Sequence, residues 1–141
     1  MLSLLRAARS REIGGILMGE QLAPGRFRLV EFTVDRQTGG RAHFVRDAAA
    51  HAQALQDFFR RTHADYSRFN YLGEWHSHPC FPPIPSLPDE ESMRDLVHGE
   101  RDIDFAVLLI VQARWRKRIE CSATLFRRNT GPAPVTILPG E

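Results

Sequence analysis

The run Phe105-Ala106-Val107-Leu108-Leu109-Ile110-Val111 is apolar at every position. A half-buried strand alternates apolar and polar residues. A strand with no polar residue on either side has to be covered on both faces, which demands a sheet with a layer above and a layer below it. The rest of the chain must therefore build neighbours and covers for this one strand. At 141 residues there is enough material for one domain with a sizeable core, and too little for two. With 43% hydrophobic and 26% charged residues, the composition is that of a folded globular chain and not of a disordered one.

The covering elements can be read on either side of it. Residues 2–12 read as a short helix with Leu2, Leu5 and Ala8 near helical spacing, broken by Gly14-Gly15. Ile16-Leu17-Met18 is a short apolar strand ending at Gly19. After the turn Ala23-Pro24-Gly25, Val30, Phe32 and Val34 alternate with Glu31, Thr33 and Asp35 as a second strand. Residues 36–46 read as loop around Thr38-Gly39-Gly40. Asp47 is a suitable N-cap for a helix over about 48–64, whose stripe is Ala48, Ala52, Leu55, Phe58 and Phe59. Tyr71 to His78 is the next strand, stopped by Pro79. Cys80 to Pro88 holds four prolines and suits a stiff loop. A helix from about Pro88 to His98 leads into the central strand. Ile119, Cys121, Ala123 and Leu125 then alternate with Glu120, Ser122 and Thr124. Residues 129–141 are Pro/Gly-rich, with one β-like piece at Val135-Thr136-Ile137. The expected fold is a single α/β domain, a mixed sheet of five or six strands sandwiched by three helices.

Several classes drop out. No apolar run approaches the roughly 20 residues of a membrane span. Met1 to Arg6 lacks a basic n-region and a long apolar stretch, so no signal peptide is expected. Cys80 and Cys121 cannot make a disulfide framework, and a cytoplasmic chain is the expectation. Nineteen Lys+Arg against seventeen Asp+Glu leave a net charge of +2. That is too mild for a nucleic-acid footprint, and the basic turn of Arg114, Arg116, Lys117 and Arg118 around Trp115 reads as solvated. Lys117 is the only lysine. Codon bias explains this adequately.

The chemistry lies between the third strand and the helix after it. His76 and His78 are i and i+2 on a strand, so both imidazoles share a face, about 7 Å apart along the chain. Asp89 follows eleven residues on, at the start of a helix and after a rigid turn. Two imidazoles and a carboxylate form a three-ligand set that leaves a fourth position open to water, the arrangement of catalytic zinc. Each piece also has a structural explanation. A His pair near a strand end is commonly a surface feature, and Ser86-Leu87-Pro88-Asp89 is a plain capping box with Pro in the first turn. Jointly they spell H-x-H-P-x6-S-x-x-D. From ordinary residue frequencies, a chance match in a chain of this length is on the order of one in ten thousand or rarer. A zinc deaminase would need H-x-E and P-C-x-x-C, and that reading fails because the Pro79-Cys80 pair lacks the second cysteine and an accompanying Glu. Trp75 alternates away from the histidines and reads as packing. Cys80 is a bystander, and His43, His51, His63 and His98 read as solvated or capping.

This string, together with Glu12 just before Ile13-Gly14-Gly15-Ile16-Leu17-Met18-Gly19, resembles the signature of the JAMM (MPN-type) metalloprotease domain, over about residues 1–126. The resemblance implies a cytidine-deaminase-like architecture, a metalloprotease domain over 1–128 and a C-terminal extension over 129–141. It implies one Zn²⁺ held by His76, His78 and Asp89 with a water as fourth ligand. It assigns Glu12 as the general acid–base at the end of the first helix and Ser86 as a hydroxyl that steadies the developing oxyanion. Glu20 and Glu74 are competitors for the Glu12 role, Glu74 sharing the parity of the two histidines. The implied substrates are ubiquitin-like proteins with a C-terminal glycine tail, and their conjugates. The small size and the string Gly73 to Pro79 are most similar to prokaryotic stand-alone members, often encoded beside activating and conjugating enzymes in anti-phage operons. The long insert of some polyubiquitin-cleaving members is missing after Asp89. A peptidase that processes sulfur-carrier proteins and a metal-free MPN scaffold are the alternative readings.

Overall fold

A computed structural model describes residues 1–35, 48–99, 103–115 and 118–140. The chain runs α1 (Leu2–Ala8), β1 (Gly14–Ala23), β2 (Arg26–Phe32), α2 (Ala48–Arg61), β3 (Phe69–Ser77), α3 (Leu87–His98), β4 (Phe105–Arg114), β5 (Arg118–Arg127) and β6 (Thr130–Val135). The six strands form one sheet in the order β2-β1-β3-β4-β5-β6. Only β3 and β4 pair in parallel, and α3 makes the crossover between them. The apolar run forms β4 up to Val111, with Gln112 to Arg114 extending it, and the strand is central, flanked by β3 and β5 as the run's composition requires.

The two faces of the sheet are covered by different helices. On one, α1 places Leu5 over Ile13, Leu17, Leu72, Trp75 and Val111. Trp75 is fully buried, sets its ring edge-on to Phe32 and donates Nε1–H to the Thr33 carbonyl at 2.8 Å. On the other, α3 packs Met93 and Val97 on Ala106, Leu108, Ile110 and Phe126, while α2 packs Phe58 on Ile16 and Met18. Tyr71 touches both of these clusters, so α2 and α3 share that face. Burying side chains of this size contributes roughly 1.5–3 kcal/mol each, so Met93 and Val97 suffice to seat α3.

A bulge in β3 decides which residues look toward α2 and α3. Met18 pairs with Tyr71 but Leu17 with Gly73, so one residue of β3 is extra. Beyond that point Glu74, His76 and His78 point to the α2–α3 face. Gly73 has φ 153°, and a Cβ there would lie 1.9 Å from the Val107 carbonyl oxygen. Glycine is the residue that permits both the backbone angle and the contact.

Some boundaries differ from the sequence reading. α1 stops at Ala8, where Arg9 turns to φ 56°, so Glu12 lies in the following loop and not at a helix end. β1 starts at Gly14 and runs through Gly19 to Ala23. β6 runs from Thr130 to Val135, meeting the expected Val135–Ile137 piece only at Val135, and adds an edge strand from the Pro/Gly-rich tail. The Asp47 cap and the loop around Thr38 fall outside the described residues, as do His43, Arg116 and Lys117. Among the described residues, no helix is long and apolar enough to cross a membrane.

Candidate metal centre

β3 delivers His76 as its penultimate residue. His78 lies one residue past the strand and still donates its backbone N–H to Val111 O on β4 at 2.9 Å. Pro79 cannot extend the pairing, so the chain leaves the sheet there. The two imidazoles come together with their Nε2 atoms 3.0 Å apart. Both rings are buried, at 8% and 5% exposure.

The third donor comes from the first turn of α3. Ser86 is the N-cap: its hydroxyl accepts the Asp89 backbone N–H at 3.3 Å, and Asp89 Oδ2 accepts the Ser86 backbone N–H at 2.8 Å. The capping box and the ligand geometry are both present, because the same carboxylate faces the histidines. Asp89 Oδ1 is 3.4 Å from His76 Nε2 and Oδ2 is 3.3 Å from His78 Nε2. Two ring nitrogens and a carboxylate oxygen thus lie within 4.8 Å of one another, the one such group among the described residues.

These distances can be tested against an ion. Ligand atoms bound tetrahedrally at about 2.0–2.1 Å are separated by ~3.3 Å along each edge of the tetrahedron. The two Nε2 atoms lie 3.0 Å apart and each has its own Asp89 oxygen at 3.4 or 3.3 Å, so the three side chains converge at separations of that order. The donor set fits a divalent metal that takes nitrogen and oxygen ligands.

Electrostatics point the same way. Burial alone would raise the Asp89 pKa, but hydrogen bonds from His76 and His78, the charge of His76 and the Ser86 backbone N–H outweigh it and hold the carboxyl far below its usual range. The Asp89 hydrogen bond in turn raises His78 against the opposing effect of burial, helped by the Pro82 carbonyl and by the charges of Asp89 and Glu12. The centre keeps a carboxylate ionised and attracts positive charge.

Glu12 is placed beside this centre by the start of β1. Ile13 on either side of its peptide is tied to Ser77: its N–H donates to Ser77 Oγ at 3.0 Å and its carbonyl accepts the Ser77 N–H at 2.8 Å. Gly14 then pairs with His76, and a Cβ on Gly14 would sit 2.3 Å from the Trp75 carbonyl oxygen, so the two strands approach more closely here than a side chain allows. The loop residue before them therefore lies near the histidines, close enough for its charge to act on His78.

The competing carboxylates are elsewhere. Glu20 pairs with Phe69 at the far end of β3, and hydrogen bonds from Arg28 and Arg68 hold its pKa below the usual value. Glu74 does share the histidines' face and is buried, two residues farther into the sheet than His76. His98 caps the end of α3 through Arg94 O at 2.8 Å and His63 is exposed, as expected. His51 is not solvated: it is 6% exposed, with Nδ1 2.7 Å from Thr33 Oγ1 and Nε2 3.9 Å from Asp35. Its position on the inner side of α2, facing β2, explains the difference. Cys80 is exposed. Ser77 and Gln112 support the centre without any mark in the sequence, because each acts on a segment more than thirty residues away.

The sequence pattern of the family described as prokaryotic homologs of the JAB domain matches residues 1–127. No curated protein matches the chain. Two solution structures share its fold. One, from Desulfitobacterium hafniense, is 22% identical with a TM-score of 0.62, over 98% of this chain and 84% of that one. The other, from Salinibacter ruber, is 18% identical with a TM-score of 0.53, over 99% of this chain and 89% of that one. With the His-x-His strand end, the Ser-capped aspartate and a family match spanning all but the last fourteen residues, the chain belongs to the prokaryotic JAB domain homologs.

Proposed function

We propose that the chain is a zinc-dependent peptidase that cleaves the amide bond after the C-terminal glycine of a bacterial ubiquitin-like modifier, either to mature it or to release it from conjugates. The observation that carries this reading is the convergence of His76, His78 and Asp89, with one ligand atom from each within 4.8 Å of the others and the charge of Glu12 acting on His78. A zinc ion held by these three groups supplies Lewis acidity toward an amide carbonyl and makes water nucleophilic near neutral pH.

The remaining work falls to the chain's own groups. Glu12 accepts the proton of the attacking water as its oxygen bonds to the carbonyl carbon. The Ser86 oxygen is already an acceptor for Asp89 N–H, which leaves the hydroxyl proton to donate to the carbonyl oxygen as charge develops there. When the C–N bond breaks, Glu12 passes its proton to the departing amine, so proton and electron pair both end on nitrogen. The buried position of both histidines favours a substrate backbone without side chains next to the bond, which suits a glycine tail. Activating and conjugating enzymes of the same modifier system are the partners this reading implies.

The test is intact-mass analysis of a glycine-ended ubiquitin-like protein fused to a reporter. Wild type, chelator-treated wild type and Glu12→Ala run in parallel. Cleavage directly after the terminal glycine, lost in both controls, is the expected result. Full zinc occupancy without cleavage of any such fusion would reject the substrate class. Failure to bind zinc would reject the enzyme in favour of a metal-free scaffold.

A further inference from the structure

Residues 79–85 connect the second histidine to the cap of α3, and four of these seven residues are proline. Proline has no N–H, so the segment brings seven carbonyls and three backbone donors to the edge of a buried centre. Two side chains make up part of the shortfall. Gln112 on β4, 7% exposed, donates Nε2–H to Phe81 O at 2.9 Å and to Pro79 O at 3.4 Å. His78 Nδ1 lies 3.0 Å from Pro82 O, which also accepts the Ile84 N–H at 2.8 Å. A carbonyl can only accept, so the ring nitrogen facing Pro82 carries the proton. When the ring is neutral, Nε2 is then the nitrogen left to present a lone pair to the side of His76 and Asp89.

The orientation of the Gln112 amide follows from the same chemistry. Turned round, it would set Oε1 against two carbonyl oxygens. Held as it is, Oε1 is buried, and no described residue donates to it. The preceding residues Ile110 and Val111 are apolar and fully buried. An apolar residue at 112 would continue them without leaving a buried acceptor unmatched. Stability alone does not account for a glutamine there, whereas control of the loop does.

We propose that Gln112 is a positioning residue for the metal centre: by holding the Pro79 and Phe81 carbonyls it aims the Pro82 carbonyl at His78 Nδ1, and so fixes the tautomer and the ring that ligate the ion. The inference rests on the metal-centre reading given above, with Gln112 acting through the loop and not touching the ion. Ligand histidines held in this way typically lose 10–100-fold in metal affinity when the outer partner is removed.

The experiment compares wild type with Gln112→Met, which keeps the length and removes both donors, and Gln112→Asn, which keeps the amide but withdraws it. Leu5→Ala, on the opposite face of the sheet, controls for lost stability. Zinc affinity is measured by competition with a chromophoric chelator. The His78 tautomer is read from ¹⁵N shifts of its ring in the metal-free proteins at pH 8. Both Gln112 variants are expected to bind zinc about 10–100-fold more weakly and to shift the His78 proton balance away from Nδ1–H, while Leu5→Ala keeps the wild-type affinity and the wild-type ¹⁵N pattern. Should Gln112→Met fail to fold, Gln112→Asn carries the same two readouts. Wild-type zinc affinity with the wild-type ¹⁵N pattern of His78 in a folded Gln112 variant would overturn the proposal. If wild type itself binds no zinc, the metal-centre reading fails, yet the tautomer measurement still decides whether Gln112 governs His78.

Discussion

Asp89 Oδ2 accepts the Ser86 backbone N–H at 2.8 Å while the two oxygens of the same carboxylate face His76 and His78. Removing it should therefore act on the ion and on the helix together. Asp89→Ala is expected to lose zinc at stoichiometric concentrations and all turnover; zinc retained at one equivalent, measured by atomic absorption, would remove it from the ligand set. Glu12→Ala should retain one equivalent of zinc and lose turnover, since its proposed work is proton transfer alone. Ser86→Ala separates two effects. The lost cap should cost about 1 kcal/mol of stability, and the lost hydroxyl should lower kcat by about 10²–10³. A kcat unchanged in Ser86→Ala would confine the serine to capping. The His76, His78 and Asp89 cluster was legible in the sequence because its donor types stand at offsets that suit metal ligation. Gln112 and the buried His51 were not, because their roles depend on partners 31 and 18 residues away that only the folded sheet brings near.

At the level of elements, β3 was visible as a strand but its bulge was not, and the bulge is what turns Glu74, His76 and His78 toward α2 and α3. The one trace of it in the sequence is Gly73. Gly73→Ala would combine a φ of 153° with a Cβ 1.9 Å from Val107 O, so the parallel β3–β4 pairing would have to open. A loss of about 3 kcal/mol or more is expected, seen as a fall in thermal midpoint on the order of 10 °C, with weaker zinc binding because His76 and His78 lie directly beyond the disturbed segment. An unchanged midpoint would mean that the strand accommodates a side chain there. β4 was legible from Phe105 to Val111 because burial on both faces leaves an unbroken apolar run, while its last residues, Gln112 to Arg114, lie beyond that run. β6 was displaced to later residues because Pro132 and Pro134 read against a strand, whereas an edge strand needs donors on one side only.

For the whole molecule, the centre couples stability to pH, and the sign depends on whether metal is bound. In the metal-free chain Asp89 lies far below the usual carboxylate pKa of about 3.9, so its contribution is present above that value and is lost as pH falls below it. His78 lies above the usual imidazole value of about 6.5, so its contribution is complete below that pH and is lost as pH rises through the raised pKa. The metal-free centre should therefore stabilise the fold most between about pH 4 and 6.5. Zinc reverses the upper limb. It requires His78 Nε2 as a lone pair, competes with the proton that Asp89 favours, and binds better as that proton leaves. Thermal midpoints taken from pH 5 to 8.5 with and without saturating zinc should diverge as pH rises, the metal-free value falling and the difference between the two growing. In Asp89→Asn, which removes the charge and the main hydrogen bond that raise His78, the metal-free dependence above pH 6.5 should flatten. A gap that narrows toward pH 8.5 in the wild type would contradict the pairing of His78 with Asp89, because the proton would then not be what the metal displaces.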